Sequence, residues 1–482
     1  MIGVKRLLSA VRNLVWQVGC YHDDVKGTKL MERKLSARQM QMIALGGTIG
    51  VGLFMGSTST IKWTGPSVLI AYGIAGIFLY LIMRALGEML YVDPDTGSFS
   101  KFATEYIHPI AGYLTAWSNI FQFVVVGMSE MIAIGGYFEF WWPGLPAWIP
   151  GIVAITFLTL ANLISVKMFG ELEFWFALIK VVTIILMIII GLGLIVFGIG
   201  NHFHPIGISN IWTHGFFTGG FKGFIFALSI VLASYQGIEL IGVTAGEAQN
   251  PQETLVKAIR STVFRILIFY IGAIFVILSI YPWNQLNNVG SPFVETFAKI
   301  GITAAASIIN FVVITAALSG SNSGIYSASR MSYTLANNGQ LPKRFLMLNR
   351  HGVPFYSVIA ISIGIFLGVV LDFIMPLFSK GADNIFVMVY SSSVLPGMVP
   401  WFVILISQIE FRKQHKDKMA QHPFKMPFSP WSNYITLAFL TVTLIFMFFN
   451  AETRISIMVG AGFLIIMTIL YFAKFHGKVK VD

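Results

Sequence analysis

An all-α polytopic membrane protein with twelve transmembrane helices is the fold class this sequence predicts, and three observations predict it. Of its 482 residues, 56% are hydrophobic and only 11% charged, whereas a soluble domain carries about 25% charged residues. The apolar residues fall in blocks of about 20, the length of helix that crosses a hydrocarbon core. The basic residues gather in alternate connections, as they do when loops alternate between two sides of a bilayer.

Spans are expected at about 39–62, 67–90, 113–140, 147–166, 172–199, 223–247, 261–281, 303–329, 355–375, 385–407, 431–449 and 456–474. Each is read as a helix because a helix satisfies its own backbone in lipid. With the N-terminus inside, one side collects Lys5, Arg6, Arg33 and Arg38 of the arm, Lys257 and Arg260, Arg330, Lys343 and Arg344, and Arg412, Lys413, Lys416, Lys418 and Lys425. The tail adds Lys474, Lys478 and Lys480, while the opposite side has little beyond Lys62, Lys222, Lys299, Lys380 and Arg454. Both termini are therefore expected in the cytoplasm of a cell-membrane protein. The net charge of +11 reports topology; anionic headgroups of membrane lipids are a sufficient partner, and nucleic acid is not needed. A single cysteine, Cys20, excludes an intrachain disulfide. Arg12, Asn13 and Gln17 spoil a lipoprotein signal before it, and Met31 is a natural start ahead of the first span.

Two spans are unusual. The first contains Gly46-Gly47-Thr48-Ile49-Gly50-Val51-Gly52-Leu53-Phe54, and the sixth contains Ser234-Tyr235-Gln236-Gly237-Ile238-Glu239-Leu240. Glycines alone would fit close helix packing. A matched disruption five helices later points instead to breaks at the interface of two inverted repeats. The chain then divides into a cytoplasmic arm (1–38), a ten-helix core (39–407, with repeats at about 39–199 and 223–407), a loop (408–430), two added helices (431–474) and a tail (475–482). A broken helix frees N–H groups, which suit a carboxylate, and carbonyls, which suit an ammonium or a cation. Two breaks meeting at the midplane can hold an α-amino acid zwitterion.

At these residues the sequence resembles the amino acid–polyamine–organocation superfamily, and within it the bacterial amino acid permeases. The motifs are Gly46 to Phe54, Arg84-Ala85-Leu86-Gly87-Glu88-Met89, Phe169-Gly170-Glu171-Leu172-Glu173-Phe174-Trp175-Phe176, Gly246-Glu247-Ala248-Gln249-Asn250-Pro251, Tyr281-Pro282-Trp283-Asn284-Gln285 and Ser291-Pro292-Phe293. The resemblance runs from about residue 31 to the end. It implies a LeuT-type 5+5 inverted repeat plus two helices and secondary active transport, usually with protons. It leans toward permeases for neutral amino acids of the proline, threonine or serine type. An exchanger, or a permease for cationic or aromatic amino acids or histidine, is the alternative.

The substrate site is expected at Thr48, Ile49, Gly50, Val51 and Gly52 of the first break and at Ser234, Tyr235 and Gly237 of the second, with Glu130 and Ser319. The resemblance implies that Tyr235 covers the substrate. Lys180 lies about 13 Å into the fifth span at ~1.5 Å per residue, where an ammonium is expensive and a functional role is favoured over snorkelling. In proton-coupled relatives a lysine here stands where a sodium ion sits in sodium-coupled ones, which implies proton coupling and contacts from Lys180 to carbonyls of the first break. Glu239 either caps freed N–H groups, contacts substrate or takes part in coupling. Glu130 is either protonated or faces the cavity, and Glu247 is a gate or a structural partner. Arg84 and Glu88, one turn apart, are read as a structural or gating ion pair. No metal, cofactor or catalytic motif stands out, and no repeated filter suggests a channel.

Overall fold

The computed structural model describes residues 35–54, 56–94, 97–199, 201–247, 251–286, 293–294, 303–378, 385–419 and 421–475. The arm with Cys20 and Met31, the 248–250 and 291–292 parts of two motifs, Lys299, Lys380 and the tail lysines 478 and 480 lie outside them. The described chain is helical: α1 (Ala37–Thr48), α2 (Val51–Phe54), α3 (Gly56–Thr64), α4 (Val68–Val92), α5 (Ser98–Tyr106), α6 (Pro109–Glu139), α7 (Trp148–Ile164), α8 (Val166–Phe197), α9 (Gly220–Ser234), α10 (Leu240–Thr244), α11 (Pro251–Ile280), α12 (Thr303–Asn337), α13 (Phe355–Phe378), α14 (Ile385–Ser392), α15 (Val394–Gln414), α16 (Trp431–Phe449) and α17 (Ala451–Phe475).

Local chemistry sets the helix ends. Ser36 and Gln39 form a reciprocal capping box at the start of α1. Pro109 occupies the first turn of α6, where its missing N–H costs nothing, and the ring of His108 accepts from Ile110 N. Ser165 caps α8 through Met168 N, and Gly198 ends it in the left-handed region at φ 67°.

Among the described residues, nine helical segments are long and apolar enough to cross a membrane. The remaining expected spans are the 17-residue α7 and the two interrupted ones, α1–α3 and α9–α10. Several helices outrun the apolar blocks: α12 continues to Asn337 and α15 to Gln414. A helix needs apolar side chains only where lipid surrounds it, so hydropathy marks the crossing and not the end of the helix. In α12 the most apolar window is 83% buried, against 17% in α17. The first is thus central, and α17 turns Ile465, Ile469 and Phe472 outward, as a lipid-facing surface requires.

Both interruptions exist. α1 ends at Thr48, Ile49 leaves helical geometry at φ −82°, ψ 86°, and the helix resumes at Val51. Residues 235–239 form a turn between α9 and α10, with Gly237 at φ 101°. A Cβ on Gly237 would strike the carbonyl of Gly47, and one on Gly52 would sit 3.1 Å from Ser234 Cα. Glycine is required because the two breaks pass backbone to backbone.

Candidate functional site

The first break is held from α8. Lys180 is fully buried, and its Nζ donates to Gly46 O at 2.6 Å, Ile49 O at 2.8 Å and Ser319 Oγ at 2.8 Å. The two carbonyls are those that the end of α1 leaves without helical partners. Ser319 in turn donates to the carboxylate of Glu173, which also accepts from Asn322 Nδ2 at 3.1 Å. Asn162 of α7 closes the chain by donating to Asn322 Oδ1 at 2.8 Å. A buried ammonium and a buried carboxylate on one helix are thereby linked through a hydroxyl on another, which offsets the cost of placing either charge in the interior.

The second break is held by the opposite charge. The N–H of Gly237 donates to both oxygens of Glu239 at 3.1 Å, Gln122 Nε2 donates to Oε1 at 3.1 Å, and Trp401 Nε1 to Oε2 at 3.2 Å. Of the roles the sequence left open for Glu239, this geometry is that of a cap. Tyr270 on α11 ties the breaks together, its hydroxyl lying 2.8 Å from Thr48 O and 2.9 Å from Ser234 O.

Between the breaks lies a cavity of about 20 Å³, room for something water-sized. Thr48, Gly50, Val51 and Gly52 line it from the first break, Ser234 and Gln236 from the second, Gln122 and Glu130 from α6, Gly320 from α12 and Tyr390 from α14. Glu130 is 1% exposed and accepts from Ser321 Oγ at 2.7 Å. Its Oε1 is so near Gly50 that a Cβ there would lie 3.0 Å away.

Four expected substrate contacts stand one layer behind this wall. Ile49 and Ser319 are taken up by Lys180. Gly237 turns its N–H to Glu239. Tyr235 does not cover the cavity: it is fully buried, donates to Tyr72 O at 3.1 Å and packs against the rings of Tyr72 and Tyr270. The turn between α9 and α10 rotates it away, and Gln236 reaches the cavity instead.

The expected Arg84–Glu88 pair is replaced. Glu88 accepts from Arg412 Nε at 2.6 Å and Nη2 at 2.7 Å, from Gln408 Nε2 at 2.9 Å and from Met426 N at 2.6 Å. A guanidinium approaching from α15 offers two parallel donors, which an arginine one turn earlier on the same helix cannot match. Arg84 instead donates to Lys425 O and lies 3.8 Å over the ring of Phe424. Beside them, His422 Nδ1 accepts from Phe424 N at 3.1 Å and Nε2 faces Glu88 O at 3.0 Å. Burial holds this imidazole below its ordinary pKa. Glu247 pairs with Arg330 at 3.1 Å, both nearly inaccessible, and its carbonyl accepts from Leu35 N at 2.9 Å. The segment ahead of α1 is thus fastened to the far end of the second interrupted helix.

Sequence reasoning missed Glu173, Tyr270, Gln122 and Trp401 as parts of this site. Only Glu173 carried a signal: it stands seven residues before Lys180, two turns away on the same face. The others are aromatic or amide side chains in apolar helices, indistinguishable in sequence from ordinary packing.

The amino acid permease family model matches residues 39–482. Over 451 residues the chain is 64% identical to a Bacillus subtilis (strain 168) protein named "Probable threonine/serine transporter YbxG", covering 93% of this chain and 96% of that one. It is 46% identical over the same shares to "Uncharacterized amino acid permease YtnA" of that organism. It is also 42% identical over 442 residues to "Amino-acid permease AapA", covering 92% of this chain and 94% of the other. With this match across nearly the whole chain and many helices able to cross a membrane, the chain belongs to the amino acid permease family.

Proposed function

We propose that this chain is a secondary active transporter that imports a small neutral amino acid, threonine or serine, across the cell membrane together with a proton. The observation that carries the reading is the pair of broken helices meeting at a polar cavity with Lys180 bonded into one of them. The substrate reading is supported by the 64% identity to a protein named as a threonine/serine transporter. In this reading α1–α8 and α9–α15 are inverted halves of a LeuT-type core, α16 and α17 are additions, and both termini are cytoplasmic, as the distribution of Lys and Arg favours.

The substrate carboxylate would meet the N–H groups opening at Gly50 to Gly52, and the ammonium would meet carbonyls and Glu130. Protonated Lys180 clamps α8 to the first break. Loss of its proton removes the charge that holds Gly46 O and Ile49 O, so the halves can rock and the ion gradient is coupled to movement. Sodium is then dispensable, since the ammonium serves as the cation.

Uptake into proteoliposomes tests this. Labelled threonine should accumulate on an imposed pH gradient with or without sodium, and serine should compete in a screen of all amino acids. Esterified or N-acetylated analogues should not compete. Accumulation driven by sodium alone would overturn the proton assignment, and failure of threonine and serine to compete would overturn the substrate.

A further inference from the structure

A proton that leaves Lys180 needs somewhere to go, and the network behind the first break offers a path. As an ammonium, Lys180 Nζ carries three N–H groups, and Gly46 O, Ile49 O and Ser319 Oγ take all three. Ser319 has one hydroxyl proton. An ammonium can only donate, so that proton points onward. Glu173 Oε1 is its close acceptor, whereas Gly46 O, already bonded by Lys180 at 2.6 Å, lies 3.5 Å away. The order of donation is therefore ammonium to hydroxyl and hydroxyl to carboxylate. The other oxygen of Glu173 accepts from Asn322 Nδ2, so both oxygens serve as acceptors.

We propose that Glu173 is the proton acceptor of the transport cycle, receiving the proton of Lys180 through the hydroxyl of Ser319. The inference rests on the reading of the chain as a proton-coupled permease and deepens it. In the step, Ser319 Oγ–H breaks as Glu173 Oε1–H forms, and Lys180 Nζ–H breaks as a new Ser319 Oγ–H forms. Each electron pair stays on the atom that loses its proton. An ion pair becomes an amine and a carboxylic acid, and their summed charge stays zero. Direct loss of the proton from Lys180 would instead leave a buried carboxylate without its counter-charge, which is strongly unfavourable.

Position suits Glu173 to pass the proton on. It precedes Lys180 by two turns, about 10 Å at ~1.5 Å per residue, toward the end of α8 that the charge distribution favours as cytoplasmic. α1 covers it: Glu173 is fully buried, and a Cβ on Gly46 would strike its Oε1. The element that Lys180 grips is thus also the one that shields the acceptor. Loss of the ammonium charge loosens α1, and its movement admits water to Glu173, where the proton leaves and the carboxylate is hydrated. Other charged groups nearby are engaged elsewhere. Glu130 on α6 bonds Ser321, Glu171 on α8 bonds Gln39, and Arg38 on α1 lies 4.0 Å from the centre of the Phe174 ring. Arg330 on α12 pairs with Glu247, Arg265 on α11 is exposed, and α7 has no charged residue.

The test compares two rates in proteoliposomes of the full chain. One is net uptake of labelled threonine on a pH gradient. The other is threonine counterflow, in which the carrier returns loaded and releases no proton. Ser319→Ala keeps both charges and removes the relay, so net uptake should slow by about 10-fold or more and counterflow far less. Ser319→Thr places a hydroxyl on the same carbon and should recover net uptake. Glu173→Gln removes the acceptor and should give the same split as Ser319→Ala. Native net uptake in either Ser319→Ala or Glu173→Gln overturns the proposal. An equal fall of both rates in both variants also overturns it and makes the network a structural tie. Native counterflow without accumulation on a pH gradient would sink the proton reading, and this proposal with it; native accumulation with unsplit variants would sink this proposal alone.

Discussion

The two helix breaks face one cavity, yet they are secured in opposite ways. At the first, carbonyls are gripped by a cation that comes from α8, more than 130 positions away in the chain. At the second, an N–H is gripped by a carboxylate two residues away, backed by Gln122 and Trp401. The second break is therefore a turn that carries its own cap, whereas the first, beside its local bonds from Gly50 N to Thr48 O and Leu53 N to Gly50 O, takes its side-chain hold from another helix. Local caps persist when helices move; contacts between elements do not. In the transport cycle proposed above, motion belongs to the first break and constancy to the second.

Removing Lys180 should separate the two most sharply. Lys180→Ala leaves Gly46 O and Ile49 O without their donor and Glu173 without its counter-charge, and breaking a buried pair costs about 3–5 kcal/mol. Uphill uptake on a pH gradient should vanish while some downhill exchange survives. If the variant still concentrates substrate, coupling resides elsewhere, with Glu130 and Glu239 next in line.

Gly50→Val tests the same break from the cavity side. Even a Cβ at Gly50 would press on Glu130, so the branched side chain should abolish substrate binding in a protein that still inserts. Normal affinity measured by ligand-induced thermal stabilisation would remove this segment from the site.

At the second break, Glu239→Ala orphans the donors of Gly237, Gln122 and Trp401, at about 1–3 kcal/mol for each left unsatisfied. Thermal stability should fall more than in Glu239→Gln, and pH-driven coupling should persist in both. Loss of coupling with unchanged stability would invert the roles assigned to the two breaks. Tyr270→Phe deletes the hydroxyl that joins them, a net contribution of about 0.5–1.5 kcal/mol. Its expected signature is a modestly higher KM with little change in maximal rate.

The smallest effect should come from the loop that packs beneath Glu88, remote from both breaks. Because burial depresses the pKa of His422 in the folded protein, the unfolded imidazole, at about 6.5, binds a proton first as pH falls. The loop contact is thus at full strength above that value and weakens below it. Protonating Nδ1 also cancels its bond from Phe424 N. Hydrogen exchange over residues 421–430 should quicken between pH 7.5 and 5.5 and lose that dependence in His422→Gln.

The two breaks also show what could be read in one dimension. Each is written locally, as glycines or a polar turn inside an apolar block, so its position was available from sequence. The depth of Lys180 likewise follows from counting along a helix. Arg84 and Glu88 misled because spacing on one helix says only that two side chains can meet, and a bidentate partner on α15 competes better. Tyr235 misled because residues in a non-helical turn have no fixed period, and Gly237 at φ 101° redirects the whole turn.

By itself, then, the sequence determined that the chain is a multi-pass membrane protein and which two of its apolar segments are interrupted. These are properties of single segments in a solvent that tolerates no unsatisfied backbone. Only the tertiary structure decided which groups answer the interruptions: Lys180 and Tyr270 at the carbonyls, Glu239 at the N–H groups, and Gln122 and Gln236 at the cavity wall. Partners are chosen by distance and direction between helices far apart in the chain, and no periodicity along one helix encodes them.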